Sequence, residues 1–133
     1  MPVKRADCFF LEVEDKPGVI AQFARQLRDE KINLKGLWGY SNPQGKGKIA
    51  CVPQNNKKFI DAAKKLGLAA TQEKAFHISG PDKVGALCNI LDVLDKENIN
   101  ISVLDAISFS GRFGSYVWVD PKDVKAAAKA LKV

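Results

Sequence analysis

Two short stretches carry residue types from which a small-molecule site could be built. Asp15-Lys16-Pro17-Gly18-Val19 and, 67 positions later, Asp82-Lys83-Val84-Gly85-Ala86 each precede a helical pattern. Pro17 can occupy a first helical turn without losing a hydrogen bond, because the N–H groups there have no partner inside the helix. Gly18 lacks a Cβ, so a ligand or another backbone can come close. The first helical N–H groups point outward with the positive end of the dipole, a seat for a carboxylate. Asp15 beside them can accept hydrogen bonds from an α-ammonium, which makes a zwitterion site in miniature. The plainer alternative is that both aspartates cap helices that start close against a sheet. Residue types alone leave the two readings open.

Catalytic chemistry is harder to assemble. The single histidine, His77, falls where the corresponding stretch has Phe10, which marks the position as structural. No nucleophile elbow, zinc-protease or phosphate-loop pattern occurs. Asp15 and Asp82 could be read as a carboxylate pair, but they belong to separate copies and each opens a helix, where capping fits both. Cys8, Cys51 and Cys88 form no CxxC spacing, so they are expected as buried reduced thiols rather than metal ligands. No enzyme activity, metal or cofactor is expected.

The elements that must hold these turns follow from an internal repeat. Shifted by 67 residues, Ala6–Val52 matches Glu73–Val119 without a gap, with twelve identities in 47 positions, Gly47/Gly114 among them. Each copy reads as a strand (Cys8–Val13; Ala75–Ser79), then a helix with Phe23 and Leu27 or Ile90 and Leu94 on its apolar face. The helix is expected to stop at Asn33 or at Asn98–Asn100, where short polar side chains compete for backbone bonds. A second strand (Leu34–Tyr40; Ile101–Phe109), a Gly-containing hairpin and a third strand follow. The second helix carries Phe59 and Ala63 in copy one, Val124 and Ala128 in copy two. Leu68–Gln72 supplies a fourth strand to copy one, whereas copy two ends where its own should begin. That strand is missing or supplied by another segment.

The strands do not alternate: Phe9, Phe10 and Leu11 are adjacent, as are Tyr116 to Val119. A sheet with one wet face alternates, so both faces are expected to be covered, by helices on one side and by another sheet or subunit on the other.

The Asp-Lys-Pro-Gly-Val-Ile turn, the Ile-Asn-Leu helix exit and the repeat length resemble the ACT domain, a small ligand-sensing module, over nearly the whole chain and twice. The resemblance implies an α+β fold of two ferredoxin-like βαββαβ repeats, residues 1–72 and 73–133. Helices lie on one face of antiparallel sheets, and the second repeat lacks a complete last strand. It implies amino-acid binding at an interface between domains. Ligand contacts would come from Asp15, Pro17, Gly18 and Val19, from Asp82, Val84, Gly85 and Ala86, and from the helix-exit Asn33 and Asn100 of the paired domain. Copy two departs by carrying Val84 in place of the proline.

The expected role is an amino-acid-sensing regulator, acting within a homodimer or on a metabolic enzyme partner. The alternative is a ligand-independent interaction or oligomerisation module. The net charge of +6 is dispersed among acids, as on a solvated surface, so nucleic acid is not expected. The longest apolar runs fall short of the roughly eighteen residues of a membrane span. With no signal-peptide pattern at the N-terminus, the expected location is cytoplasmic.

Overall fold

A computed structural model describes residues 2–133, and their contacts divide into two compact units. The first is Asp7–Glu73; the second is Lys74–Val133 together with the residues up to Ala6. In chain order the elements are β1 (Val3–Glu14), α1 (Val19–Asp29), β2 (Leu34–Ser41), β3 (Lys46–Pro53), α2 (Asn56–Leu66) and β4 (Thr71–Pro81). Then come α3 (Cys88–Lys96), β5 (Ile101–Phe109), β6 (Arg112–Val119), a 3-10 turn at Pro121–Asp123 and α4 (Val124–Leu131). The strands of the first unit lie in the order β2-β3-β1, those of the second in the order β5-β6-β4, and all four of these pairings are antiparallel. The class is α+β, as expected.

Each unit buries one core between sheet and helices. Phe9, Leu11, Ile49 and Cys51 meet Phe23, Leu27, Phe59 and Ala63 in the first; Phe76, Ile78, Val117 and Val119 meet Leu94, Ala127 and Ala128 in the second. The first helix of the first unit ends ahead of Asn33, whereas that of the second stops at Asn98, as expected. Lys31 and Asn98 take left-handed backbone, and Ile32 and Ile99 donate back to the carbonyls of Leu27 and Leu94 (2.9 and 3.0 Å). These are Schellman motifs, closed by apolar contact between the same residues.

The predicted strands Leu68–Gln72 and Ala75–Ser79 are one strand, β4. Nothing in Gln72-Glu73-Lys74 favours a turn, and Leu68 and Ala70 pack on the first core ahead of it. The edge left open in the second repeat is taken by the start of the chain. The Ser79 amide donates to the Pro2 carbonyl (3.2 Å), Val3 packs on the second core, and the Arg5 guanidinium donates to the Val133 carbonyl (3.0 Å).

The ungapped match is corrected in its last quarter. Phe9 pairs with Cys51 but Phe76 with Val117; Leu37 pairs with Cys51 but Leu104 with Val117. The offset is therefore 67 in β4 and β5 but 66 in β6, because the second hairpin is one residue shorter. Asn42 organises the first turn, its side chain accepting from the amides of Gln44 and Lys46. The second turns on Ser110 and Gly111, both left-handed, as a two-residue type I′ turn requires. Gly47 and Gly114 are not equivalent. Phe113 takes Gly47's place and faces Gly80, whereas Gly47 faces Val13.

On the inner strands both faces are covered, as the missing alternation implies: Phe10, Ala50, Tyr116 and Trp118 point away from their units' helices and are still buried. The edge strand β5 departs from this, with Val103, Leu104, Ile107 and Phe109 exposed.

Candidate functional site

The two β–α turns share a left-handed glycine. Gly18 and Gly85 both sit at positive φ (+89° and +76°), and a Cβ on either would meet nothing within 4 Å. Glycine is there for its left-handed conformation, not for close packing. The Pro17/Val84 difference leaves this geometry intact.

Neither aspartate caps its helix. Gly18 is the N-cap of α1 and Leu87 that of α3, both without a side-chain bond. By contrast Asn55 caps α2 by accepting from the Lys58 amide (3.0 Å). Pro17 precedes the N-cap and so lies outside the helix it was expected to open. In the second unit the first turn is wound more tightly. The amides of Ala86 and Cys88 donate three residues back, to Lys83 and Gly85, and regular helix begins at Cys88. The plainer reading of Asp15 and Asp82 is thereby removed, and both carboxylates stand beside a helix start without serving it.

Each turn opens onto a cleft against the end of the neighbouring strand. In the first unit Asp15, Lys16, Val19 and Ile20 face Gly39, Tyr40 and Ser41 across about 120 Å³. In the second, Asp82, Gly85, Ala86 and Leu87 face Ala106, Ile107 and Ser108 across about 270 Å³. These are equivalent positions, 67 residues apart. The first is smaller because Ile20 leans over Gly39, its Cδ1 2.6 Å from where a Cβ would stand. Ala106 has that Cβ, and Leu87 turns toward the second core instead.

The first cleft is rimmed by charge. Lys16 and Glu14 form an ion pair (2.8 Å), both well exposed. The Lys16 ammonium, by hydrogen bond and charge, holds the Glu14 carboxyl below its ordinary value, and the same pair raises Lys16. Lys48 also lines the cleft. The second has Asp82 and Lys83 at its rim and the exposed Cys88 at its helix end.

Of the residues singled out from the sequence, Asp15, Val19, Asp82, Gly85 and Ala86 line these clefts, while Pro17, Gly18 and Val84 shape the turns behind them. Asn33 and Asn100 lie at the far ends of α1 and α3, about 16 Å of helix away in the first unit. The Asn33 carbonyl accepts from the Gln54 amide there (3.0 Å). Sequence reasoning missed the strand side: Gly39, Tyr40 and Ser41, and Ala106, Ile107 and Ser108. Their signal was the shared Ser41/Ser108 just before each hairpin. His77 lies on β4 beside Tyr116, ring centroids 4.6 Å apart, and lines neither cleft. Among the described residues no group of three or more His, Cys, Asp or Glu comes together as a metal site, and no helix is long and apolar enough to cross a membrane.

No protein family and no curated relative matches the sequence. Solved structures do. The chain is similar to protein BT0572 from Bacteroides thetaiotaomicron (TM-score 0.84, 22% identity, 98% of this chain and 88% of that one). It is also similar to the regulatory subunit of aspartate kinase from Thermus thermophilus in its ligand-free form (0.64, 12%, 98% and 93%). A third match is the corresponding subunit from Thermus flavus (0.65, 14%, 98% and 94%). At these identities the likeness is one of fold.

Proposed function

We propose that this chain, which has the ACT-type fold, is a regulatory amino-acid sensor rather than an enzyme, with its ligand held at the β–α turns. One observation carries the reading: each repeat places an aspartate that does no capping beside a helix start, over a cleft closed by the next strand. The helix start offers N–H donors to a carboxylate and the aspartate accepts from an ammonium. The second cleft has room for a side chain as well, so it is the principal site; the first, filled by Ile20, is the weaker one. Asn33 and Asn100 would reach a ligand only from a paired domain. The likeness to subunits of aspartate kinase supports an enzyme as the regulated partner.

The test is a thermal-shift or calorimetric titration with each of the twenty amino acids. One of them should stabilise the protein by about 2.7 kcal/mol at a hundred times its dissociation constant. Asp82→Ala should remove most of that response and Asp15→Ala less. No response to any amino acid at millimolar concentration would sink the reading. The exposed apolar strand β5 favours a second one, assembly of copies without ligand, which would show as an oligomer unchanged by amino acids.

A further inference from the structure

The net charge of +6 is spread among acids over most of the chain, but α4 gathers part of it into a row. Lys125 and Lys129 stand one turn apart on the helix, flanked by Lys122 in the preceding 3-10 turn and by Lys132 at the C-cap. Spacings of three, four and three keep all four on one side, over about 15 Å. All four are exposed, and among the described residues no ion pair joins any of them to an acid. Asp120 and Asp123 precede the helix, and Asp92 and Asp95 lie on α3, which packs against it, yet none is paired with the row. The Arg5 guanidinium, on the Val133 carbonyl (3.0 Å), adds a fifth positive charge at its end.

The fold does not ask for this row. Backbone bonds align α4 with α2 at an offset of 65: Leu68 and Val133 donate to Ala63 and Ala128, and Gly67 and Lys132 to Lys64 and Lys129. By that offset α2 has Lys57 for Lys122 and Lys64 for Lys129, but Ile60 for Lys125, Asp61 for Ala126 and Gly67 for Lys132. α2 thus breaks its lysines with a carboxylate and ends on glycine, whereas α4 does neither. Lys125 lies in the first turn, where the positive end of the helix disfavours a cation. Lys125 and Lys129, four apart, repel each other. Lys132 takes left-handed backbone (φ +62°), which costs a lysine more than a glycine. Three of the four lysines are therefore held against local preference.

We infer that this row is a docking surface for an acidic helix of a partner protein, with carboxylates at the same three-four-three spacing. The inference rests on the partner half of the regulatory reading and not on the amino-acid site. A helix fits because Ala126 and Ala130, beside the lysines, let a second helix come to the about 8–10 Å at which helices pack. Nucleic acid fits less well, since no aromatic side chain stands between the lysines for a base to stack on. A lipid surface also fits less well, because Ala127 and Ala128 of α4 are buried in the second core and cannot insert.

The probe is an alanine-based peptide of about 18 residues, long enough to hold a helix, with four glutamates at that spacing. Its control has the same composition with the glutamates scrambled. NMR titration of the isotope-labelled full chain at about 0.05 M salt, where exposed charges act beyond about 10 Å, should move the α4 amides. The patterned peptide should bind severalfold tighter than the scrambled one. Lys125→Ala with Lys129→Ala should weaken it about tenfold, the loss of two exposed pairs, while the melting temperature holds or rises. Lys57→Ala with Lys64→Ala on α2 should leave binding unchanged. No binding, equal binding of both peptides, shifts centred on α2, or a lower melting temperature in the α4 variant overturns the inference. So does tighter binding to duplex DNA or to phosphatidylserine vesicles than to the peptide. The amino-acid titration stands apart: a response there without peptide binding keeps the sensor and removes this surface, and the reverse keeps the surface and removes the sensor.

Discussion

Asp105 stands where the first repeat has Trp38, and it brings charge to a half-buried place. Burial pushes its carboxyl above the usual carboxylate value, opposed in part by the Tyr116 amide and by nearby His77. A carboxyl raised by folding contributes stability that is full below its unfolded value and is lost as pH rises through the folded one. Asp105→Asn keeps the acceptor for Tyr116 and removes the charge. Its gain over the natural protein should be near zero at pH 3, grow from about pH 4 upward, and level off above the raised value. Urea melts at pH 3, 5 and 7 measure it, and an increment independent of pH would refute the assignment. The neighbouring Ser115, fully buried, is satisfied by donating to the Asp105 carbonyl. None of this was legible in the sequence. What surrounds a strand residue depends on pairings that local pattern does not specify.

At the scale of elements, the hairpins show how the repeat tolerates a lost residue. Val13 faces Gly47 in the first unit and Gly80 faces Phe113 in the second, so the large and small partners have changed sides. A Cβ on Gly47 would stand 3.0 Å from the Val13 side chain. Gly47→Phe alone should cost about 1–3 kcal/mol through overpacking. Added to Val13→Gly it should cost less than the sum of the singles, with a coupling of about 0.5–3 kcal/mol. Strict additivity in denaturant melts would mean the equivalence is not one of packing. Element type and order were legible because apolar spacing separates helix from strand throughout. The ends were legible only in part: Asn98 does end α3, but α1 is ended by left-handed Lys31 ahead of Asn33, and the β4 boundary is set by the lack of a turn, both weaker signals than an asparagine. Of the candidate site, the turn side was legible through Asp and Gly, while the strand side needed the β2 and β5 register.

At the scale of the molecule, each unit carries one of the two tryptophans, Trp38 in the first and Trp118 in the second. Removing residues 2–6 takes Val3 from the second core and leaves the Ser79 amide without its acceptor. The loss should be about 1–3 kcal/mol, from one partly buried valine and two hydrogen bonds, one of them exposed. Melts followed by single-tryptophan fluorescence should show the Trp118 transition shifted more than that of Trp38; equal shifts would place the segment's support elsewhere.

Residues 2–6 also set a clock. They leave the ribosome ahead of their partners, since Ser79 follows 77 residues after Pro2 and Val133 later still. At about 5–20 residues per second, the wait for Ser79 is roughly 4–15 s. The first unit has all of its own strands by Glu73 and can close without that tail. Residues 2–6 are therefore held back as an unpaired strand, and the second unit is finished only when they meet a stretch made 77 residues later.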